Sequence, residues 1–323
     1  MANNHDQFIA FNDKISADSK RDVLKQNRKA LRDRIKDYYK ETYPDDIQPL
    51  FHQQGSYAMH TLLNPVVRED GSTPYDMDDG VYFVGDIDDR LTVEEYHSRI
   101  YEAVKGHTDQ DPDDNDPCIT VHYADGHHVD LPIYFMEQEA EHPQLAHRGD
   151  GWIDSDPRDF YQWFNGIKDN SQLRRMVRYL KAWADYEEYT HGTKMPSGCI
   201  MTILAEKLYV RNDRDDIAFR DILVAMHESL SAKFECLRPT FPEGENLFGG
   251  YKWMLRKSAF LSALADFKDD ANRAINSKNP HDACMKWQLY FGDRFCCSSA
   301  PVKDEDAIEQ ESAGPKLNNS RFA

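Results

Sequence analysis

The chain has 323 residues, of which 40% are hydrophobic, enough to build one large bilobed body or two packed domains. Its formal net charge of −18 argues against a long nucleic acid as partner, because such binding is mostly phosphate neutralisation by Lys and Arg; a small anionic substrate in a locally basic pocket is still admitted. No run is long and apolar enough to cross a bilayer, and the polar first dozen residues lack an apolar signal core, so no membrane association is expected.

Val23, Leu24, Leu31 and Ile35 recur at helical spacing and predict a long helix over 18–43, capped by Ser16 or Asp18 and closed by Pro44. A short strand through Ile47, Leu50 and Phe51 leads to Gly55-Ser56. Residues 64–74 read as a loop broken by Pro65, Gly71 and Pro74. From Asp76 to Val84 the pattern is extended. Thr92 and Glu95 resemble a capping box for a helix reaching Val104. The acidic, Pro-rich run 111–117 reads as a loop. Two β-rich runs, 118–123 and 128–135, flank Asp125-Gly126, a hairpin signal. Beyond Arg148 the composition turns helical. Helices are expected from Ser155 and Asp156-Pro157, then over 171–186, 196–210, 216–234, 253–278 and 281–291, with a Pro- and Gly-rich loop at 238–250. The polar stretch 298–323 is expected to be disordered. None of the six cysteines forms a CxxC pair, so reduced thiols in a cytoplasmic protein are expected, with no chemistry at Cys296-Cys297.

Three features converge on one chemistry. Gly55 lets the backbone approach a phosphate and Ser56 adds a hydroxyl, although Gly-Ser is also an ordinary turn. Asp76 and Asp78 flank Met77 on an extended segment, so both carboxylates share a face while Met77 points to a core. Side by side they repel unless a cation lies between them, and the apolar run that follows argues against a merely solvated turn. Asp130 lies alone in the apolar run Val129 to Tyr134. If its strand neighbours the first, three carboxylates can hold two Mg2+ ions, with Mn2+ as substitute; such a pair about 4 Å apart activates a hydroxyl and stabilises a pyrophosphate leaving group. His127 and His128 read as hairpin residues, since Mg2+ prefers oxygen, and the five tryptophans read as packing. Arg174, Arg178 and Lys181 share one face of a predicted helix, a row that suits a triphosphate or an ordinary solvated surface.

The order of these parts resembles the nucleotidyltransferase superfamily related to DNA polymerase beta. Gln54-Gly55-Ser56-Tyr57, the segment from Asp76 to Tyr82, His128 to Tyr134, Trp152 to Pro157 and Tyr179 to Trp183 each resemble segments of the bacterial cGAS/DncV-like nucleotidyltransferases, or CD-NTases, closest to the 3′,3′-cyclic GMP-AMP synthase type. The resemblance implies an α+β fold: a polymerase-beta-like core with a mixed twisted sheet and flanking helices over 1–148, a helical lobe over 149–297, and a tail over 298–323, with the active site in the cleft between core and lobe. It implies metal ligation by Asp76, Asp78 and Asp130. It implies nucleotide contacts from Gln54, Gly55, Ser56 and Tyr57, with Lys181, Arg178 and Ser197 reaching in from the lobe. Where the family pattern places an arginine on the strand before the third aspartate, this chain offers Ile119 or Thr120. The implied activity is synthesis of a cyclic oligonucleotide from two or three nucleoside triphosphates, ATP and GTP to cyclic GMP-AMP, with pyrophosphate release. The implied setting is antiphage (CBASS) signalling through a separate effector, with a ubiquitin-transferase-like partner acting on the C-terminus. A template-independent linear nucleotidyltransferase and an inactive nucleotide-binding regulator are the alternatives. The first needs a basic RNA track that the charge disfavours, and the intact carboxylate trio speaks against the second.

Overall fold

A computed structural model describes residues 1–69, 71 and 75–302. Two cores are packed separately. The first is an open mixed sheet covered by two helices. Its strands are β1 (Leu50–Gln53), β2 (Asp76–Gly85), β3 (Asp113–Asn115), β4 (Cys118–His122), β5 (His128–Leu131), β6 (Ile133–Glu137), β7 (Gln144–His147) and β8 (Gly151–Asp154). The order is β3-β4-β5-β2-β6-β7-β8, with β1 paired antiparallel to β2. β2 therefore organises the sheet. Its first three residues run parallel to β5 and its last five parallel to β6.

The run 128–135, expected as one strand, is two. Pro132 has no N–H to give the ladder, so pairing breaks there, while its carbonyl still accepts from the Val81 N–H at 2.9 Å. The Asp125-Gly126 hairpin is present between β4 and β5. Part of the acidic run expected as a loop forms the short edge strand β3.

Helices α2 (Arg21–Thr42) and α4 (Val93–Val104) cover one face of the sheet, burying Leu24, Leu31, Ile35, Tyr39, Tyr96 and Ile100 against Met77, Val81 and Phe83. Thr92 caps α4, its hydroxyl accepting from the Glu95 N–H. The long helix starts at Arg21, preceded by one 3-10 turn over Asp18–Lys20.

The second core joins α5 (Pro157–Gly166), α6 (Ser171–His191), α7 (Gly198–Leu208), α8 (Asp215–Ala232), α9 (Tyr251–Asn276) and α10 (Pro280–Phe291). Asp156 caps α5 ahead of Pro157. α6 runs past the expected 186 to a left-handed Gly192, a usual helix stop. A helix the sequence reading missed, α1 (His5–Ile15), buries Phe8, Phe11 and Ile15 in this core, although it precedes the sheet in the chain. The tyrosine hydroxyl of Tyr179 donates to the Phe8 carbonyl at 2.8 Å and fixes it there.

Two expectations about the C-terminal end are corrected. Cys284 and Cys297 form a disulfide with Cα atoms 5.6 Å apart. Both side chains are buried where the segment after α10 folds back, a closeness set by tertiary packing and carrying no sequence spacing signal. The cysteines therefore do not point to a reducing compartment. Residues 298–302 are also ordered, with Ala300 buried and the Pro301 carbonyl accepting from the His281 N–H. The rest of the expected tail, 303–323, and Pro74 of the expected loop lie outside the described residues. No described helix is long and apolar enough to cross a membrane.

Candidate active site

The site forms where the start of β2 faces the helical lobe. Alternation along β2 puts Asp76 and Asp78 on one face and sends Met77, fully buried, into the sheet core. The parallel register sets Asp78 beside Asp130 of β5. One carboxylate oxygen from each of Asp76, Asp78 and Asp130 lies within 4.8 Å of the others. The neighbouring Asp79 is a different case. It is fully buried on the opposite side and accepts from the Arg32 guanidinium at 2.7 Å.

This crowding changes the chemistry of the acids. Burial pushes the Asp78 carboxyl up to about 8, with Asp76 and Asp130 adding repulsion and Lys181 opposing it. Burial also raises Asp130, opposed by the Thr120 hydroxyl, which donates to its Oδ1 at 2.7 Å. Burial lowers the Lys181 ammonium, offset by Asp76 and Asp78. Three convergent hard oxygen donors whose ionised forms repel are suited to a cation such as Mg2+ or Mn2+.

Gly55, which opens the short helix α3 (Gly55–Ala58), presses against this group. Its φ of +64° is one that side-chain-bearing residues rarely adopt, and a Cβ there would stand 1.8 Å from Asp78 Oδ2. Ser56 follows, its Oγ buried and without a hydrogen-bond partner among the described residues; the Gln54 Oε1 is in the same condition. The Gln54 amide donates to the Tyr134 hydroxyl at 3.3 Å. Such unsatisfied buried groups are costly unless a ligand meets them.

Lys181, on α6, closes the cleft from the lobe, its Nζ donating to the Thr61 carbonyl at 3.1 Å. Gly198 makes room for it, since a Cβ there would lie 3.1 Å from Lys181 Cε. The resulting cleft of about 330 Å3 is lined by Gln54, Gly55, Ser56, Asp76, Asp78 and Lys181. Ser155, Phe160, Cys199, Thr202 and Arg238 line it as well, and the sequence reading assigned none of these to the site. Ser155 could have been found, since it opens the Ser155-Asp156-Pro157 helix start. Arg238 could not, because it arrives from an irregular loop, where it pairs with Glu245 at 2.7 Å.

The other expected contacts lie elsewhere. The Tyr57 ring turns toward α2, under the Arg21 guanidinium 4.0 Å from its centroid. Arg178 is buried and committed, donating to Asn12 Oδ1 at 2.9 Å and the His60 carbonyl at 2.7 Å. Ser197 is exposed and caps α7, while its neighbours Pro196 and Gly198 face the cleft side of the chain. Of the basic row on α6, only Lys181 lines the cleft with Asp76 and Asp78. His127 is stacked between Tyr75 and Tyr123, with Asp125 and Asn27 on its two nitrogens, a hairpin packing role.

Residues 49–134, which contain the Gly-Ser turn and all three aspartates, match the family described as cyclic GMP-AMP synthase DncV-like, nucleotidyltransferase domain. Over these residues the chain is similar to the DncV-like nucleotidyltransferase domain. It is 27% identical over 258 residues to the cyclic GMP-AMP synthase of Escherichia albertii, covering 74% of this chain and 56% of that protein. It is 25% identical over 184 residues to the cyclic GMP-AMP synthase of Vibrio cholerae, covering 55% and 42%. The chain thus spans about half the length of the curated relatives it matches. Vibrio cholerae DncV in complex with nonhydrolyzable GTP superposes with a TM-score of 0.78 at 20% identity, over 94% of this chain and 100% of that one. The same enzyme with the linear intermediate 5′ pppA(3′,5′)pG gives 0.76 at 20% identity, over 94% and 99%. These likenesses establish the DncV-like fold, with the mixed sheet and flanking helices that the resemblance implies, and Asp76, Asp78 and Asp130 resemble a nucleotidyltransferase metal site.

Proposed function

We propose that this chain is a divalent-cation-dependent synthase that joins ATP and GTP into a cyclic dinucleotide with release of pyrophosphate, serving as an antiphage second messenger for a separate effector. The observation that carries the reading is the convergence of Asp76, Asp78 and Asp130 beside the Gly55-Ser56 turn, with one lysine facing them. The relatives' names, cyclic GMP-AMP synthase, support the product class.

Asp76, Asp78 and Asp130 would hold two Mg2+ ions, with Mn2+ as a substitute. Bound there, the cations supply charge neutralisation at the α-phosphate and acidify the attacking ribose hydroxyl. Ser56 Oγ, buried and without a partner among the described residues, offers a hydrogen bond to a triphosphate oxygen, and Gly55 keeps the backbone close enough for that contact. The Lys181 ammonium faces the leaving pyrophosphate and neutralises charge as it departs. Asp130 would receive the hydroxyl proton of the acceptor ribose. A second pass through the same residues, with the linear product turned round, closes the ring. Catalysis is positioning and charge compensation, as for other phosphoryl transfers. By the same resemblance a ubiquitin-transferase-like partner would conjugate the C-terminus, a segment outside the described residues.

The test is incubation of the full chain with labelled ATP, GTP, CTP and UTP and Mg2+, followed by phosphatase and chromatography. A phosphatase-resistant dinucleotide containing A and G supports the proposal. A ladder of linear products, or no incorporation while Asp76→Asn behaves identically, defeats it.

A further inference from the structure

We propose that Thr120 is a positioning residue for the third carboxylate, setting through its hydroxyl which oxygen of Asp130 meets the cation. This rests on the reading of Asp76, Asp78 and Asp130 as cation ligands. Thr120 and Asp130 are directly opposite in the β4–β5 ladder. The Thr120 side chain is 6% exposed, and its Oγ1 lies 2.7 Å from Asp130 Oδ1. On its other side it lies 3.0 Å from the Asn115 Nδ2, on the edge strand β3.

The donor count fixes the direction of this chain. An amide NH2 only donates and an ionised carboxylate only accepts, while a hydroxyl has a single proton. Asn115 therefore occupies a lone pair of Thr120; the Cys118 Sγ at 3.6 Å is only a weak partner, so the hydroxyl proton is committed to Asp130 Oδ1. Oδ2 takes no hydrogen bond among the described residues; the His128 Nε2 lies 3.7 Å from it. One oxygen is tethered and the other is left for the site. Asp76 and Asp78 have no comparable side-chain donor among the described residues, so Asp130 alone is oriented from behind. Outer partners of this kind are worth about 10- to 100-fold in metal affinity or activity.

The experiment compares the full chain with Thr120→Val, Thr120→Ser, Asn115→Ala and Asp130→Asn. Mn2+ binding is read by electron paramagnetic resonance without nucleotide, and incorporation of labelled ATP and GTP is read separately as kcat and KM. Thermal unfolding in EDTA confirms that each variant is folded. Thr120→Val is expected to weaken Mn2+ binding about 10-fold or more and to lower kcat about 10- to 100-fold, with nucleotide KM unchanged at saturating cation. Thr120→Ser, which keeps the hydroxyl, restores both to within about threefold, and Asn115→Ala shows a smaller loss in the same direction. If Thr120→Val binds Mn2+ as the parent does while Asp130→Asn loses it, the positioning role is overturned and the cation site stands. The role is equally overturned if Thr120→Ser fails as badly as Thr120→Val. Should Asp130→Asn keep its Mn2+, the cation reading itself falls, and the role of Thr120 with it.

Discussion

Replacing Gly55 by alanine tests how closely the phosphate-facing turn is fitted to the acid cluster. Two costs are separable. The backbone there is left-handed at φ +64°, which disfavours an L side chain by about 1–2 kcal/mol. The added Cβ would also stand 1.8 Å from Asp78 Oδ2 and 2.7 Å from its Cγ, far inside van der Waals contact. Either the carboxylate swings away or the turn retreats, by about 1 Å or more in each case. A misplacement of that size near reacting groups costs on the order of 100-fold in rate. Gly106 supplies the control, with φ +71° and nothing within 4 Å of its built Cβ. Gly106→Ala bears the backbone cost alone. Both variants should lose stability in thermal unfolding, Gly55→Ala by about 1–3 kcal/mol more because of overpacking. Only Gly55→Ala should lose nucleotide incorporation, by about 100-fold. If Gly55→Ala stays within threefold of the parent, or Gly106→Ala is equally inactive, the turn does not abut the catalytic carboxylate as described.

Further outcomes follow from the charges and tethers. Asp78 has a folded pKa of about 8 against an ordinary value of 3.8, so the folded state holds a proton that the unfolded state has released across that window. Its contribution is complete below about pH 4 and is lost as pH rises toward 8. In EDTA, the melting temperature of the parent should therefore fall relative to Asp78→Asn between pH 5 and 8, and Mg2+ should restore it at pH 8; parallel curves would refute the crowding. Lys181→Met should cost about 10- to 100-fold in kcat/KM by removing a charge-assisted contact, whereas Arg178→Met should lower the melting temperature and leave nucleotide KM unchanged; the reverse pattern would mean that the α6 face had been misassigned. Reducing the Cys284–Cys297 bridge, which spans 13 residues, should cost about 3 kcal/mol in denaturant unfolding, and an unchanged midpoint would show that the bridge contributes nothing.

The acidic half of the site was legible because strand alternation is a local event, although the strand break at Pro132 was not foreseen. Asp76 and Asp78 share a face by period alone, and Pro132 stops β5 just beyond Asp130 without moving it from the side of β2. The turn at Gly55 was legible as a glycine but not as a contact, since its closeness to Asp78 depends on β1 folding back along β2. The lobe side was harder. Arg174, Arg178 and Lys181 are equivalent on a helical wheel, and what separates them is the docking of α1 and the turn at His60, which claim Arg178 before it can reach the cleft. α1 itself carried its pattern in Phe8, Phe11 and Ile15, obscured by polar residues before Phe8 and by Asn12, Asp13 and Lys14. Arg238 and the disulfide depend on where irregular segments end up in space, and no periodicity reports that.

The charge of the molecule and the charge of its cleft present the same problem at two scales. A protein at −18 has to admit a polyanion, and the cleft opposes it with three carboxylates against the ammonium of Lys181, because Arg238 is already paired with Glu245. The fold relieves the carboxylates alone by protonation, which is what the raised Asp78 pKa expresses. A triphosphate brings more negative charge and no proton, so only divalent cations can compensate both at once. Cation and nucleotide binding must then be strongly and reciprocally coupled, since each raises the affinity of the other by the same factor. Calorimetric titration of ATP into the EDTA-treated chain should give no measurable binding at pH 8, and binding should appear with Mg2+. Comparable affinity in both conditions would mean that the nucleotide is held away from Asp76, Asp78 and Asp130, and the cleft would need a different occupant.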